Sequence, residues 1–221
     1  MRKIILASAS PWRHKILRDA GISFTVEKSG YRENMKVKLP PAALARKLAF
    51  GKALAVAKRH TNAIVIGADT FIVHKKKILG KPGTRARARL MLQSLSGATH
   101  TIITGFSIVD SKTKEHIERS VATRVTFRRL SSRQIDEYVE TGEPLRAAGG
   151  YAIQGGGGLL IKGISGDYNN VAGLPLAKLL LALRKFEEKL YTPLRKILWH
   201  RKIRVYNGSR HPRLARVCWP K

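Results

Sequence analysis

Cysteine is nearly missing from this chain: Cys218 is the single one in 221 residues. That excludes an internal disulfide framework and a multi-cysteine zinc site, and it agrees with a reducing compartment, so the cytoplasm is the expected location. Long apolar runs are missing too. No stretch approaches the roughly 18 uncharged apolar residues of a spanning helix, and Met1-Arg2-Lys3 leads straight into Ile4-Ile5-Leu6-Ala7, too short for the apolar part of a secretory signal. Histidines are scattered, with none of the His-Glu-x-x-His spacing of a zinc protease. Acidic residues are the scarcest class of all relative to their opposites: 14 Asp and Glu stand against 43 Lys and Arg, a formal charge of +29. Polyanions must be attracted, whether a nucleic acid, an anionic membrane surface or a small polyphosphate, and composition does not choose among them.

The charge is spread over the body. Residues 187–221 hold ten basic against two acidic residues, and residues 1–186 hold 33 against 12. With 43% apolar residues the longer part can bury a substantial core, so the chain reads as one globular unit, 1–186, followed by a basic extension, 187–221. In the extension, Arg195 to Arg204 interleaves basic and apolar residues; it is either a loosely packed or disordered tail or an amphipathic strip for nucleic acid or membrane.

Periodicity and turn chemistry predict the elements. Lys3 to Ala7 is a short buried strand, followed by a helix with Ser10 as N-cap and Pro11 at its first position, closing at Gly21. Phe24 to Glu27 is a second strand. Pro40-Pro41 opens a long helix with Leu44, Leu48 and Ala55 near one face. Ala63 to Ile66 is a buried strand ending in Gly67-Ala68-Asp69-Thr70, and Phe71 to Leu79 is a hairpin turning at His74 to Lys77. Arg85 to Leu95 is a helix closed by Gly97. Thr99 to Val109 and Ser120 to Phe127 should pair antiparallel, and Ser131 with Gln134 makes a capping box for a helix ending at Gly142. Tyr151 to Gln154 and Leu159 to Ile164 are further strands around a glycine run, and Leu174 to Phe186 is a closing amphipathic helix. Strands and helices mix without strict alternation, which gives an α/β or α+β class with a mixed sheet flanked by helices.

Several residues can carry chemistry, and each has a plainer reading. Ser8-Ala9-Ser10-Pro11-Trp12-Arg13 puts hydroxyls, helix N–H groups and an arginine at a strand exit, an anion site or simply a capped helix start. Asp69 falls at the expected carboxyl end of an apolar strand, where open sheets present groups to ligands, although Asp before Thr also makes turns. Glu33 is a possible second carboxylate or one exposed Glu in a polar loop; two carboxylates suffice for a magnesium ion that is also ligated by phosphate. Lys52 sits beside Gly51 on a helix and Lys81 lies in Leu79-Gly80-Lys81-Pro82; each can grip phosphate or merely be solvated. The run Gly155 to Gly158 lacks the Lys-Ser/Thr ending of a P-loop and reads as a turn.

In order along the chain, these segments resemble the Maf family of nucleoside triphosphate pyrophosphatases, relatives in fold of the inosine triphosphate pyrophosphatases. The resemblance runs from Ile4 to about Leu183. It rests on Leu6-Ala7-Ser8-Ala9-Ser10-Pro11, Glu33, Leu48-Ala49 with Lys52-Ala53, Ile66-Gly67-Ala68-Asp69-Thr70, Leu79-Gly80-Lys81-Pro82 and Leu95-Ser96-Gly97 with Thr99-His100. Thr104-Gly105, Gly142-Glu143-Pro144, Tyr151 to Gly155, and Gly166-Asp167-Tyr168 to Gly173-Leu174-Pro175 continue it. It implies a sheet with a central cleft and hydrolysis between the α and β phosphates of dTTP, UTP or a modified pyrimidine nucleotide, with Mg²⁺, or Mn²⁺ or Co²⁺, as cofactor. Asp69 would activate water and share the metal with Glu33, while Ser8, Arg13, Lys52 and Lys81 would bind the triphosphate.

Three positions that report base choice in the family disagree: Thr70 and Gln154 are similar to the dTTP/UTP subgroup, while Trp12 is similar to a subgroup acting on 7-methyl-GTP. Ala147 stands where a lysine is frequent, and the basic extension has no counterpart. Two functions from different classes stay open: the pyrophosphatase, and a binding protein for nucleic acid or for the division septum that has lost turnover. The assembly is open between monomer and homodimer.

Overall fold

In chain order the elements are β1 (Lys3–Leu6), α1 (Pro11–Asp19), β2 (Thr25–Val26), α2 (Pro41–Ala57), β3 (Ala63–His74), β4 (Lys77–Leu79), α3 (Arg85–Leu95), β5 (Thr99–Asp110), β6 (His116–Phe127), α4 (Ser132–Glu140), β7 (Ile161–Ser165), α5 (Tyr168–Val171) and α6 (Leu176–Leu183). They come from a computed structural model that describes residues 2–34 and 37–189, with side chains up to Phe186. The expected extension, 187–221, lies almost wholly outside the described residues.

Seven strands form one mixed sheet in the order β2-β1-β3-β5-β6-β7, with β4 on β3. The β1 strand pairs in parallel with β2 and β3, and every other pairing is antiparallel. One face is covered by α2, whose Ala53, Val56 and Ala57 pack on Ile5, Val65 and Val109, while its Leu44 and Leu48 pack on Phe71. The other face carries two separate clusters. Leu17 of α1 and Leu179, Leu180 and Leu183 of α6 meet Ile64, Ile66 and Phe106; further along, α3 and α4 pack on Ile72, Ile102, Val125 and Phe127. A sheet wrapped on both faces by helices is the class that the mixed pattern predicts.

The most consequential difference from expectation is β3. Rather than ending at Ile66, it runs unbroken for 12 residues, so Asp69 sits in mid-strand opposite Gly105 rather than at a strand tip. The reason is chemical: Thr70-Phe71-Ile72-Val73 is β-branched and aromatic, and β5 offers a partner along the whole length. The turn does fall inside the expected window, at Lys75 and Lys76, both with positive φ.

Other corrections are smaller. Ala55 is only half-buried, because Ala53 and Val56 face the sheet. Ser10 holds the N-cap position without a side-chain hydrogen bond. Tyr151 to Gln154 forms no strand, a turn beginning at Ile153, and Gly156–Leu160 coils into a 3₁₀ helix so that β7 starts only at Ile161. The backbone N–H groups of Gly156 and Gly157 donate to the Glu143 carboxylate, so the glycine run binds a side chain of its own chain. The capping box of α4 and the antiparallel β5–β6 pair form as expected.

Candidate active site

The long strand creates an opening on its own edge. On one side β3 is paired with β5 throughout. On the other, β1 accompanies it only as far as Ile66, and β4 joins only at Ile72. Among the described residues, 67–71 therefore present a free edge between two partners, with Asp69 at its middle. Extending the two registers places Ser8, two residues beyond Leu6, level with Ala68, and Lys81, two beyond Leu79, level with Thr70.

Side chains alternate across a strand, so Gly67, Asp69 and Phe71 face α2. Glycine at 67 and 105 lets that helix descend onto the sheet: a Cβ on Gly67 would lie 2.2 Å from the Ala49 carbonyl oxygen, and one on Gly105 would lie 2.3 Å from the Ala45 carbonyl carbon. The close approach brings Lys52 to the strand, with its Nζ 2.6 Å from Asp69 Oδ1.

Glu33 arrives by a different route. Arg59 and His60, just past the end of α2, bind the Glu27 carboxylate, and Arg59 also donates to the Lys28 carbonyl. The hydrogen bond from His60 and the Arg59 charge hold the Glu27 carboxyl below its usual range. Farther along, the Tyr31 ring lies against Gly51, where a Cβ would sit 2.3 Å from the ring. The loop thus follows the helix backwards, and Glu33 Oε1 comes to 2.8 Å from the same Lys52 Nζ. One ammonium bridges two carboxylates contributed by a loop and a strand.

Asp69 is 8% exposed, and its Oδ2 is buried without a hydrogen bond among the described residues. A buried carboxylate oxygen without a donor is costly unless a water, an ion or a ligand meets it, so the residues fit a divalent cation. They supply only two carboxylates, because among the described residues no group of three or more His, Cys, Asp or Glu is placed to hold a metal. A magnesium ion held there would have to take its remaining ligands from phosphate oxygens and water, as is usual for that ion.

On the opposite face of β3, Arg13 links three segments of the chain. Its Nη1 donates to Ser8 Oγ at 3.0 Å, its Nη2 to Thr70 Oγ1 at 3.1 Å and its Nε to the Gly173 carbonyl at 2.9 Å. Burial pushes its pKa down from the usual arginine value, against the pull of the Asp69 and Glu33 charges. Three of its five N–H groups are committed to the fold, which leaves two for an anion. Ser8 is buried beneath it and Thr70 continues into Thr104 at 3.0 Å.

Lys81 is exposed and makes no hydrogen bond or ion pair among the described residues, so the Glu33–Lys52–Asp69 cluster forms without it. Gln154 donates to the Ala172 carbonyl at 3.2 Å. Trp12, in the first turn of α1, is 39% exposed, which leaves its ring open on at least one side. Thr104, Gly173 and the close-approach glycines have structural roles that sequence reading did not assign. Glycine inside a strand is the signal that can reveal the latter.

A family model described as Maf-like protein matches residues 3–186. The chain belongs to the Maf family. Among curated Maf relatives, the dTTP/UTP pyrophosphatase of Moorella thermoacetica is 49% identical over 80% of this chain and 92% of its own length. That of Desulforamulus reducens is 45% identical over 84% and 97%, and that of Bacillus mycoides 44% identical over 85% and 97%. Among solved structures, a HAM1 protein from Coxiella burnetii aligns with 59% of this chain and 75% of its own at 16% identity and a TM-score of 0.41. Among the described residues no helix is long and apolar enough to cross a membrane.

Proposed function

We propose that this chain is a nucleoside triphosphate pyrophosphatase that cleaves dTTP and UTP to the monophosphate and pyrophosphate, in the cytoplasm. The observation that carries the reading is the Glu33–Lys52–Asp69 cluster on the free edge of β3, with a buried, unpartnered carboxylate oxygen at its centre. The names of the Maf relatives, all dTTP/UTP pyrophosphatases, support the choice of substrate.

In this reading Asp69 Oδ2 accepts a proton from a water that attacks the α-phosphorus. The bond between that phosphorus and the bridging oxygen breaks, pyrophosphate leaves with the bonding pair, and the proton passes on to solvent. A Mg²⁺, Mn²⁺ or Co²⁺ ion, held by Asp69 and Glu33, supplies neutralising charge at the phosphates when bound. Lys52 and Lys81 grip the phosphates, and Arg13 uses its two remaining N–H groups on the anion while fixing Ser8.

A second specificity is favoured by one observation: Trp12 exposes a ring suited to stacking on a purine, as in the 7-methyl-GTP subgroup. Residues 187–221 act, in this account, as a separate basic extension that contacts polyanions. A 390 Å³ cavity between β6 and α6, lined by Arg119, Lys178 and Lys185 and by no acid, adds a basic surface on the described domain. The test is pyrophosphate release from dTTP, UTP, CTP, ATP and 7-methyl-GTP with magnesium. Turnover led by dTTP and UTP that survives removal of residues 187–221 supports the reading, and tight nucleic-acid binding without any turnover refutes it.

A further inference from the structure

Among the described cations, Lys52 is the one in contact with both carboxylates of the site, 2.8 Å from Glu33 and 2.6 Å from Asp69. Its side chain is only 12% exposed, so the ammonium cannot exchange these partners for bulk water at little cost; another anion must replace them. While it stays, the carboxylate pair presents about one net negative charge rather than two, and the attraction for a divalent cation falls with that charge. The +29 charge of the chain weakens capture of a free cation further. The Tyr31 ring packs directly on Gly51, next to Lys52, and helps hold the helix backbone in place. The flexible stem of the lysine can still turn the ammonium outward.

We propose that Lys52 is an internal counter-ion that excludes a divalent cation from Glu33 and Asp69 until a triphosphate draws it away, so that metal and nucleotide bind with positive linkage. This rests on the pyrophosphatase reading and adds an order of events to it. The free protein holds its site closed to metal with its own ammonium. The polyphosphate then acts twice: it competes for Lys52, and it exposes the carboxylates that the ammonium had covered. Linkage is reciprocal, so a cation already on the carboxylates must raise nucleotide affinity by the same factor.

The test measures Mn²⁺ binding by the full chain without nucleotide, following the free-ion resonance signal, for the unaltered protein, Lys52→Met, Lys52→Gln and Lys58→Met. The two Lys52 variants remove the charge with different side chains, and cooperative thermal unfolding confirms that each is folded. Lys58 is exposed just past the end of α2 and controls for the general loss of one positive charge. A gain in Mn²⁺ affinity of about tenfold or more in a folded Lys52 variant, with Lys58→Met within about twofold of the unaltered protein, is the expected result, since linkages of this size are typical. A non-hydrolysable dTTP analogue should then raise Mn²⁺ affinity more in the unaltered protein than in the variant. Equal or weaker Mn²⁺ binding in the folded Lys52 variants overturns the inference, even when pyrophosphate release shows that the function stands. Absence of turnover on every triphosphate removes the function, whatever the variants do to Mn²⁺.

Discussion

A methyl group added at Gly67 should disable the site without touching any polar residue in it. In Gly67→Ala the new Cβ would lie 2.2 Å from the Ala49 carbonyl oxygen and 2.8 Å from the Ala53 amide nitrogen, both backbone atoms of α2. A flexible side chain could swing aside; a helix backbone cannot. Ordinary contact begins near 3.4 Å, so α2 must lift or tilt by about 1 Å at this point. Overpacking of this kind costs about 1–3 kcal/mol of stability. Lys52 lies one residue from Ala53, and a displacement of that size pulls its Nζ out of the 2.6 Å contact with Asp69. Misplacing a catalytic group by about 1 Å commonly costs on the order of 10² in rate. Gly163→Ala is the control, because nothing lies within 4 Å of its added Cβ and its φ is ordinary. Thermal unfolding gives the stability change and initial rates of pyrophosphate release give the activity. A Gly67→Ala protein with unaltered stability and rate refutes the claim that close helix approach builds the site.

Other outcomes follow from the same geometry. Arg13→Lys should lose stability by about 1–3 kcal/mol, since an ammonium cannot serve Ser8, Thr70 and Gly173 from one planar fork; thermal unfolding and KM both report it. Trp12→Arg should shift preference toward dTTP and UTP over 7-methyl-GTP, read as the ratio of kcat/KM values, and an unchanged ratio removes Trp12 from base recognition. Burial, with a smaller contribution from the neighbouring His74, pushes His100 down to about 4. Its folded-state value lies below the unfolded one, so the unfolded chain takes up the proton first. The resulting stability is fully present above pH about 6.5 and is lost as pH falls toward 4, by about 3 kcal/mol in total. His100→Gln should flatten that part of the pH dependence of unfolding; an identical slope would show that other groups carry it.

Much of the fold was legible because each signal was local. The capping box at Ser131 and Gln134, Pro11 at the start of α1, and the β-branched runs of β5 and β6 all follow from short-range chemistry. The continuation of β3 through Asp69 was not legible, because it depends on β5 lying alongside, a contact between residues tens of positions apart. Tyr151 to Gln154 has strand-like composition, yet Tyr151 is fixed by its hydroxyl 2.7 Å from His100 Nε2 and by packing on Phe127, which favours turns over a ladder. Within the site, residue types identified Asp69, Glu33 and Lys52, but not that one lysine would bridge both acids. That bridge needs the close helix–sheet approach at Gly67 and Gly105 and the Tyr31 ring on Gly51. Sequence reading also set Arg13 among the phosphate ligands, where three-fifths of its donor capacity turns out to brace the fold.

The most direct measurement is the product pattern of dTTP with Mg²⁺, followed by phosphorus resonance for the unaltered protein and for Asp69→Asn. The account predicts dTMP and pyrophosphate in equal amounts, with the rate cut by about 10² or more in a variant that still unfolds cooperatively, as loss of a general base commonly does. Release of inorganic phosphate with dTDP, or full activity in Asp69→Asn, would contradict it.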